Sequence, residues 1–350
     1  MKTAIIYSPV YLEHKTGKGH PEKPQRLLAI IRGVTREKQL MDKITFIEPK
    51  ALELEDLLLA HTEEYVRRVK YICDSGGGLL NDETLLSKES FDVARLAAGG
   101  AVGAVEEVFS EKFNNVFVLA RPPGHHAGPN YGLGFCVFNN VALAAKHLIE
   151  KRGLKRVLIL DIDAHHGNGT QDIFYDTDEV LYMSIHEDPT DFPKTGFIWE
   201  VGVEEGRGYT VNVPLPYGSS DPAFWKAFKT IISPIAVQYR PQFMLISAGF
   251  DGYYRDPISD LSLSAYIYPK IFQVILNLAS KLCDGRLVTV LEGGYNLWFL
   301  RKVVASCIAR MAGLDLKIRD KRPPINLRVQ REANKIIEDV RKVQSRYWSL

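Results

Sequence analysis

The chain has 350 residues, enough to bury a core without disulfide or metal staples, and its apolar and charged shares of 46% and 25% are ordinary for a globular protein. A formal net charge of +2 leaves no strong field for nucleic acid or a membrane surface, and no apolar stretch is long enough to span a bilayer. The four cysteines (Cys73, Cys136, Cys283 and Cys307) form no CxxC pair, which argues against a cysteine-ligated zinc site and suits a reducing compartment.

Lys2 is followed by an apolar run over 4–6, too short for a signal segment, so a cytoplasmic location is expected. The run at 4–7 reads as the first buried strand, and a helical pattern follows at 24–36. Two more helical patterns, 62–73 and 91–109, lead to a strand at 116–119. Next come a helix at 137–151 and strands at 157–162, 180–184 and 210–213. The C-terminal part alternates helix and strand: 222–237, 243–247, 264–282, 287–291 and 297–311. Unbroken apolar strands separated by helices predict an α/β fold, a single domain with a mostly parallel sheet covered on both faces. Past residue 313 the composition changes: Lys317 to Arg322 is basic and Pro323-Pro324 breaks the chain. Val329, Ala333, Ile336, Val340 and Val343 then recur at helical spacing. The chain therefore divides into a body, 1–313, and a basic extension, 314–350, whose terminal amphipathic helix packs on the body. Glu332, Glu338 and Asp339 interrupt the basic residues, so no nucleic-acid contact is expected.

Ligands of parallel α/β sheets bind beyond the carboxyl ends of the strands, and four such ends carry unusual residues. After 116–119 comes Arg121-Pro122-Pro123-Gly124-His125-His126-Ala127-Gly128, where adjacent histidines offer a general base beside a second imidazole. After 157–160 comes Asp161-Ile162-Asp163-Ala164-His165-His166-Gly167-Asn168-Gly169. Period-two alternation there puts Asp161, Asp163 and His165 on one side, and two buried aspartates need a metal or a partner. After 243–247, Asp251 could complete the site, although Asp before Gly is also a common turn residue. After 287–291, Glu292-Gly293-Gly294-Tyr295 lets the backbone pass close to a site and aims a phenol that could serve an oxyanion. Together these ends predict one metal held by Asp163, His165 and Asp251 with an open fourth position, which describes a catalytic zinc. A carboxylate-rich set also accepts Fe(II), Co(II) or Mn(II).

At these residues the chain resembles the histone deacetylase superfamily, which includes acetylpolyamine amidohydrolases. The resemblance rests on RPPGHHAG (121–128), GLGFCVFNN (132–140), LDIDAHHGNGTQ (160–171), SAGFDG (247–252) and LEGGYN (291–296), with GHPEKPQR (19–26) and MSIHEDPTDFPKTG (183–196) in support. It implies the three-layer arginase/deacetylase fold over 1–313 and removal of acetyl from an acetylated amine, acetyl-lysine of proteins or peptides before acetylpolyamines. It implies Zn2+ on Asp163, His165 and Asp251, proton handling by His125 and His126, and carbonyl polarisation by Tyr295. Asp161 and Asn168 are implied partners that orient the two histidines. Gly134, Phe135 and Phe192 are implied for the substrate tunnel, with Arg26 a buried arginine behind its end. A structural K+ is implied at Asp161 with the Ser184 region, and a rim carboxylate near Glu83 or Asp82.

Asn168 stands where one branch of the family has Asp, a class II-like pattern that gives its histidine a neutral partner. Ile258 stands where a polyamine enzyme is expected to carry Glu, which favours acetyl-lysine. Two other classes of function lack their signature here. An inactive acyl-lysine binding module would have lost a ligand or the tyrosine, and a two-manganese ureohydrolase would need further carboxylates. A homo-oligomer is compatible with the sequence.

Overall fold

The computed structural model describes residues 2–350. Its strands are β1 (Thr3–Ile6), β2 (Ile44–Ile47), β3 (Gly77–Leu79), β4 (Leu85–Ser87), β5 (Asn115–Val118), β6 (Val157–Asp161), β7 (Val180–Glu187), β8 (Thr210–Leu215), β9 (Phe243–Ala248) and β10 (Leu287–Leu291). Its helices are α1 (Gln25–Arg36), α2 (Lys38–Met41), α3 (Leu54–Leu57), α4 (Glu63–Asp74), α5 (Ser90–Phe109), α6 (Asn140–Glu150), α7 (Asn168–Ile173), α8 (Asp221–Ala227), α9 (Ser233–Tyr239), α10 (Ile267–Leu282), α11 (Leu297–Met311) and α12 (Leu327–Gln344).

Eight strands form one sheet in the order β2-β1-β5-β10-β9-β6-β7-β8, and every pairing in it is parallel. The seven expected strands are all in it, and all seven are buried along their length. Successive residues of β5 show why: the Phe117 ring stacks on Phe272 of α10, while Val118 lies under Gly100 of α5. A strand sandwiched between helix layers needs apolar side chains on both faces.

The unexpected elements are short or half-exposed. Edge strand β2 has only intermediate and exposed positions, and β3 and β4 make a three-residue antiparallel hairpin. The helix expected over 222–237 is broken by a π-turn at Phe228–Ile232, which accommodates Pro234, a residue that cannot continue an α-helical ladder. The helix expected from 137 starts at Asn140, because the Asn139 side chain accepts from Ala142 N–H as its N-cap.

The extension returns to the body. Ala333, Ile337 and Val340 of α12 are fully buried, so the seam runs through Ile337, one residue from the spacing expected through Ile336. Gln344 Nε2 donates to Thr210 O at 3.2 Å and Trp348 Nε1 to Gly208 O at 2.9 Å, covering the edge of β8 that would otherwise be open to another chain. Among the described residues no helix is long and apolar enough to cross a membrane.

Candidate active site and metal centre

The carboxyl ends of β5, β10, β9, β6 and β7 are neighbours in the sheet, so the segments that follow them meet. The geometry after β6 differs from the alternation expected of an extended strand. The strand stops at Asp161, and two side chain-to-backbone turns follow: Asp163 N–H donates to Asp161 Oδ1 at 3.1 Å and His165 N–H to Asp163 Oδ1 at 2.9 Å. These turns separate the three side chains, sending Asp161 to His125 and leaving Asp163 and His165 to meet Asp251.

One ligand atom each from Asp163, His165 and Asp251 lies within 4.8 Å of the others, and all three residues are buried. His165 Nδ1 is 3.2 Å from Asp251 Oδ2 and 3.4 Å from Asp163 Oδ1. The carboxylates are pinned from behind, Asp163 Oδ2 by Gly293 N–H at 2.8 Å and Asp251 Oδ1 by Ala164 N–H at 2.9 Å. Gly249 and Gly293 supply the room: a Cβ on Gly249 would lie 2.0 Å from Asp163 Oδ2, and one on Gly293 2.3 Å from Asp251 Oδ2. Two anionic oxygens and an imidazole nitrogen drawn together under burial suit a divalent cation, and this donor set fits zinc.

His125 and His126 lie ring to ring, with centroids 4.0 Å apart, in unlike surroundings. His125 Nδ1 is 3.0 Å from Asp161 Oδ2 and its Nε2 is 3.9 Å from Asp163 Oδ1. Burial opposes the charge on His125, but Asp161, Asp163 and Glu292 overcome it and push its pKa up to about 10. His126 Nδ1 bonds the neutral Asn168 Oδ1 at 2.7 Å, and burial followed by the nearby His125 and His165 holds its pKa well below the usual histidine range. Environments that drive two adjacent imidazoles apart separate a charged group from a neutral base.

Tyr295 is buried, and burial raises its phenol well above its ordinary value against the pull of Arg26, so it keeps its proton for donation. The Tyr295 backbone is fixed by Asp256, whose Oδ2 accepts from Tyr295 N–H at 2.7 Å and Asn296 N–H at 3.0 Å. His126, His165, Gly134, Phe135, Phe192 and Tyr295 line one pocket of about 300 Å³. Phe192 meets His126 and His165 edge-on with centroids 5.0 and 5.8 Å away, and Phe135 meets Tyr295 at 6.0 Å.

Arg26 does not line this pocket. It is fully buried behind it, 4.8 Å from the Tyr295 ring centroid, and donates to Gly294 O at 2.6 Å and Glu292 O at 2.5 Å. Of the two expected rim acids, Glu83 lines the pocket and Asp82 does not. Three carboxylates escaped the sequence reading. Glu22 clamps Arg121 through Nε at 2.5 Å and Nη2 at 2.8 Å, and also pairs with Arg26 at 3.2 Å. Glu292 Oε2 accepts from Gly124 N–H at 2.7 Å and His125 N–H at 3.2 Å, fixing the tandem-histidine loop. Glu187 Oε1 lies 3.5 Å from His165 Nε2, because β7 runs three residues past its expected end.

A family model described as "Histone deacetylase domain" matches residues 20–311. Over 99% of both chains the sequence is 43% identical to a "Probable deacetylase" of Archaeoglobus fulgidus. It is 34% identical to a "Histone deacetylase-like amidohydrolase" of Pseudomonas aeruginosa, over 89% of this chain and 81% of that one. A crystal structure of the HDA15 HD domain superposes with a TM-score of 0.88 at 33% identity, covering 99% of this chain and 95% of the other.

Proposed function

The chain belongs to the histone deacetylase family and is a metal-dependent deacetylase, and from that premise we propose that it uses one zinc ion to remove acetyl from acetyl-lysine in proteins or peptides. Asp163, His165 and Asp251 would hold the ion. When bound, it would activate water and polarise the amide carbonyl. His126, neutral and facing the pocket, takes the proton of the attacking water. Tyr295 donates its hydroxyl proton in a hydrogen bond to the carbonyl oxygen as charge develops there. The charged His125, held by Asp161, balances the carboxylates beside it, and the histidine pair returns a proton to the leaving nitrogen. Phe135 and Phe192 exclude water from the alkyl chain. Asp161, paired with Ser184 across β6 and β7, is the proposed place of a structural K+. The four cysteines are free and buried, in keeping with the proposed cytoplasmic location.

The observation that carries this reading is the junction of the Asp163–His165–Asp251 cluster, the unlike histidine pair and Tyr295 at one aromatic-walled pocket. An inactive acyl-lysine module has no use for an acid/base pair with split proton affinities.

A second substrate reading, acetylated polyamines, is favoured by the pocket lining. Glu83, Asp191 and Asp260 line the pocket with no lysine or arginine among the lining residues, and such a lining attracts further positive charge on the substrate. Acetate release from an acetyl-lysine peptide and from N-acetylated polyamines, measured side by side, decides. Faster peptide turnover supports the lysine reading. Faster polyamine turnover overturns it and keeps the mechanism, and no acetate from either would refute both.

A further inference from the structure

A line of hydrogen bonds leaves His126 on the side away from the pocket, and the reaction above makes no use of it. His126 Nδ1 meets Asn168 Oδ1 at 2.7 Å, and Asn168 Nδ2 donates to the Tyr131 hydroxyl at 3.0 Å. The Tyr131 hydroxyl donates in turn to Asp172 Oδ2 in a short contact. Asp172 lies at the surface of α7 as a carboxylate acceptor, and burial and Asp172 push the Tyr131 phenol up, so the shared proton stays on Tyr131. The Tyr131 ring is seated on Gly128 of the tandem-histidine loop, where a Cβ would come within 2.4 Å of it, and Gly128 N–H donates to Tyr131 O at 2.9 Å.

The direction of each bond follows from the one before it. A carboxylate only accepts, so Tyr131 gives its single proton to Asp172. The phenol oxygen is left as an acceptor, so Asn168 turns its NH2 towards Tyr131 and its carbonyl oxygen towards His126. A carbonyl oxygen only accepts, so His126 carries its proton on Nδ1 and keeps a lone pair on Nε2 for the pocket. Without Tyr131 the Asn168 amide can turn over. Its NH2 would then face Nδ1, and the proton would move to Nε2, where a base needs none.

We propose that Asp172 and Tyr131 are positioning residues that act through Asn168 to set the tautomer in which His126 can accept a proton, an inference that rests on the deacetylase reading of the site. They give the neutral Asn168 the fixed polarity that a carboxylate at the same position would impose directly.

The test is nitrogen-15 NMR of histidine-labelled, zinc-loaded protein, with kinetics on an acetylated substrate that the wild type turns over. Wild type should show His126 protonated on Nδ1. Tyr131→Phe keeps the ring on Gly128 and loses the hydroxyl, and Asp172→Asn lets the chain reverse. Both should mix in the Nε2–H form and lower kcat roughly 10- to 100-fold with KM little changed, the usual cost of losing a partner that orients a histidine. Asn168→Asp in the Tyr131→Phe background should restore the Nδ1–H tautomer and most of kcat. An unchanged tautomer with near wild-type kcat in Tyr131→Phe, or no rescue by Asn168→Asp, would overturn the proposal. A wild type that releases no acetate would refute the deacetylase reading alone, since the tautomer would still follow Tyr131.

Discussion

Replacing Gly293 with alanine should weaken metal binding by Asp163 and Asp251. A Cβ there would stand 2.3 Å from Asp251 Oδ2 and 2.6 Å from Asp163 Oδ2, against a floor of 3.0 Å for real Cβ contacts. Asp251 Oδ2 must therefore retreat by about 0.7 Å and Asp163 Oδ2 by about 0.4 Å, both beyond the tolerance of about 0.2 Å within which ligand distances hold a metal. The φ of Gly293 lies outside the left-handed region, so alanine adds no backbone strain there. Disturbing groups that orient metal ligands costs about 10- to 100-fold in affinity, and moving two ligands at once should reach at least that range. Competition against a chelator of known zinc affinity would measure the loss, with apo-protein melting as the control for folding. Wild-type zinc affinity in Gly293→Ala would refute the assignment of Asp163 and Asp251 as joint ligands.

Tyr295→Phe should lower kcat about 10²- to 10³-fold with metal content unchanged, since removing one oxyanion donor costs that much; near wild-type turnover would remove Tyr295 from the mechanism. Acid should unfold the protein in two windows. Buried His61 donates from Nδ1 to Gly128 O and accepts at Nε2 from Asn139 N–H, both at 2.9 Å, and burial lowers its pKa from 6.5 to about 4. Its folded form binds fewer protons than the unfolded chain, so stability falls as pH drops from 6.5 towards 4, by about 3 kcal/mol at roughly 1.4 kcal/mol per pH unit. Burial opposes the charge of Glu22, but Arg121 and Arg26 lower its pKa from 4.5 to about 2, so its contribution is full above 4.5 and lost towards pH 2. Denaturant midpoints measured against pH check both, and His61→Gln should make the upper window shallower without abolishing it, because burial lowers His14 and His186 to about 4 as well. Ile337→Ala removes a fully buried side chain from α12 and should cost about 2–5 kcal/mol by denaturant titration, with kcat of the folded enzyme unchanged.

The sheet was legible where burial left one choice of residue. The seven strands sandwiched between helices read as apolar runs, whereas β2 and the β3–β4 hairpin, exposed or only three residues long, carry no such signal. The ligands and histidines were legible because each follows directly from a strand end. The path of the chain past Asp161 was not, since strand alternation and successive Asp turns both suit Asp-x-Asp-x-His. The supporting carboxylates were hidden for another reason: Glu22 meets an arginine 99 residues away and Glu292 a loop 168 residues away, and only the folded sheet brings them together. Asp172 carries no signal of its own in the sequence, and only the fold brings the Tyr131 hydroxyl, 41 residues away, onto it.

The most direct test of the account is to titrate zinc into chelated protein while following bound metal and acetate release together. Both should saturate at one ion per chain, and Asp251→Asn should lose both. Activity that persists in the chelated protein, or that needs a second tightly bound ion per chain, would contradict it.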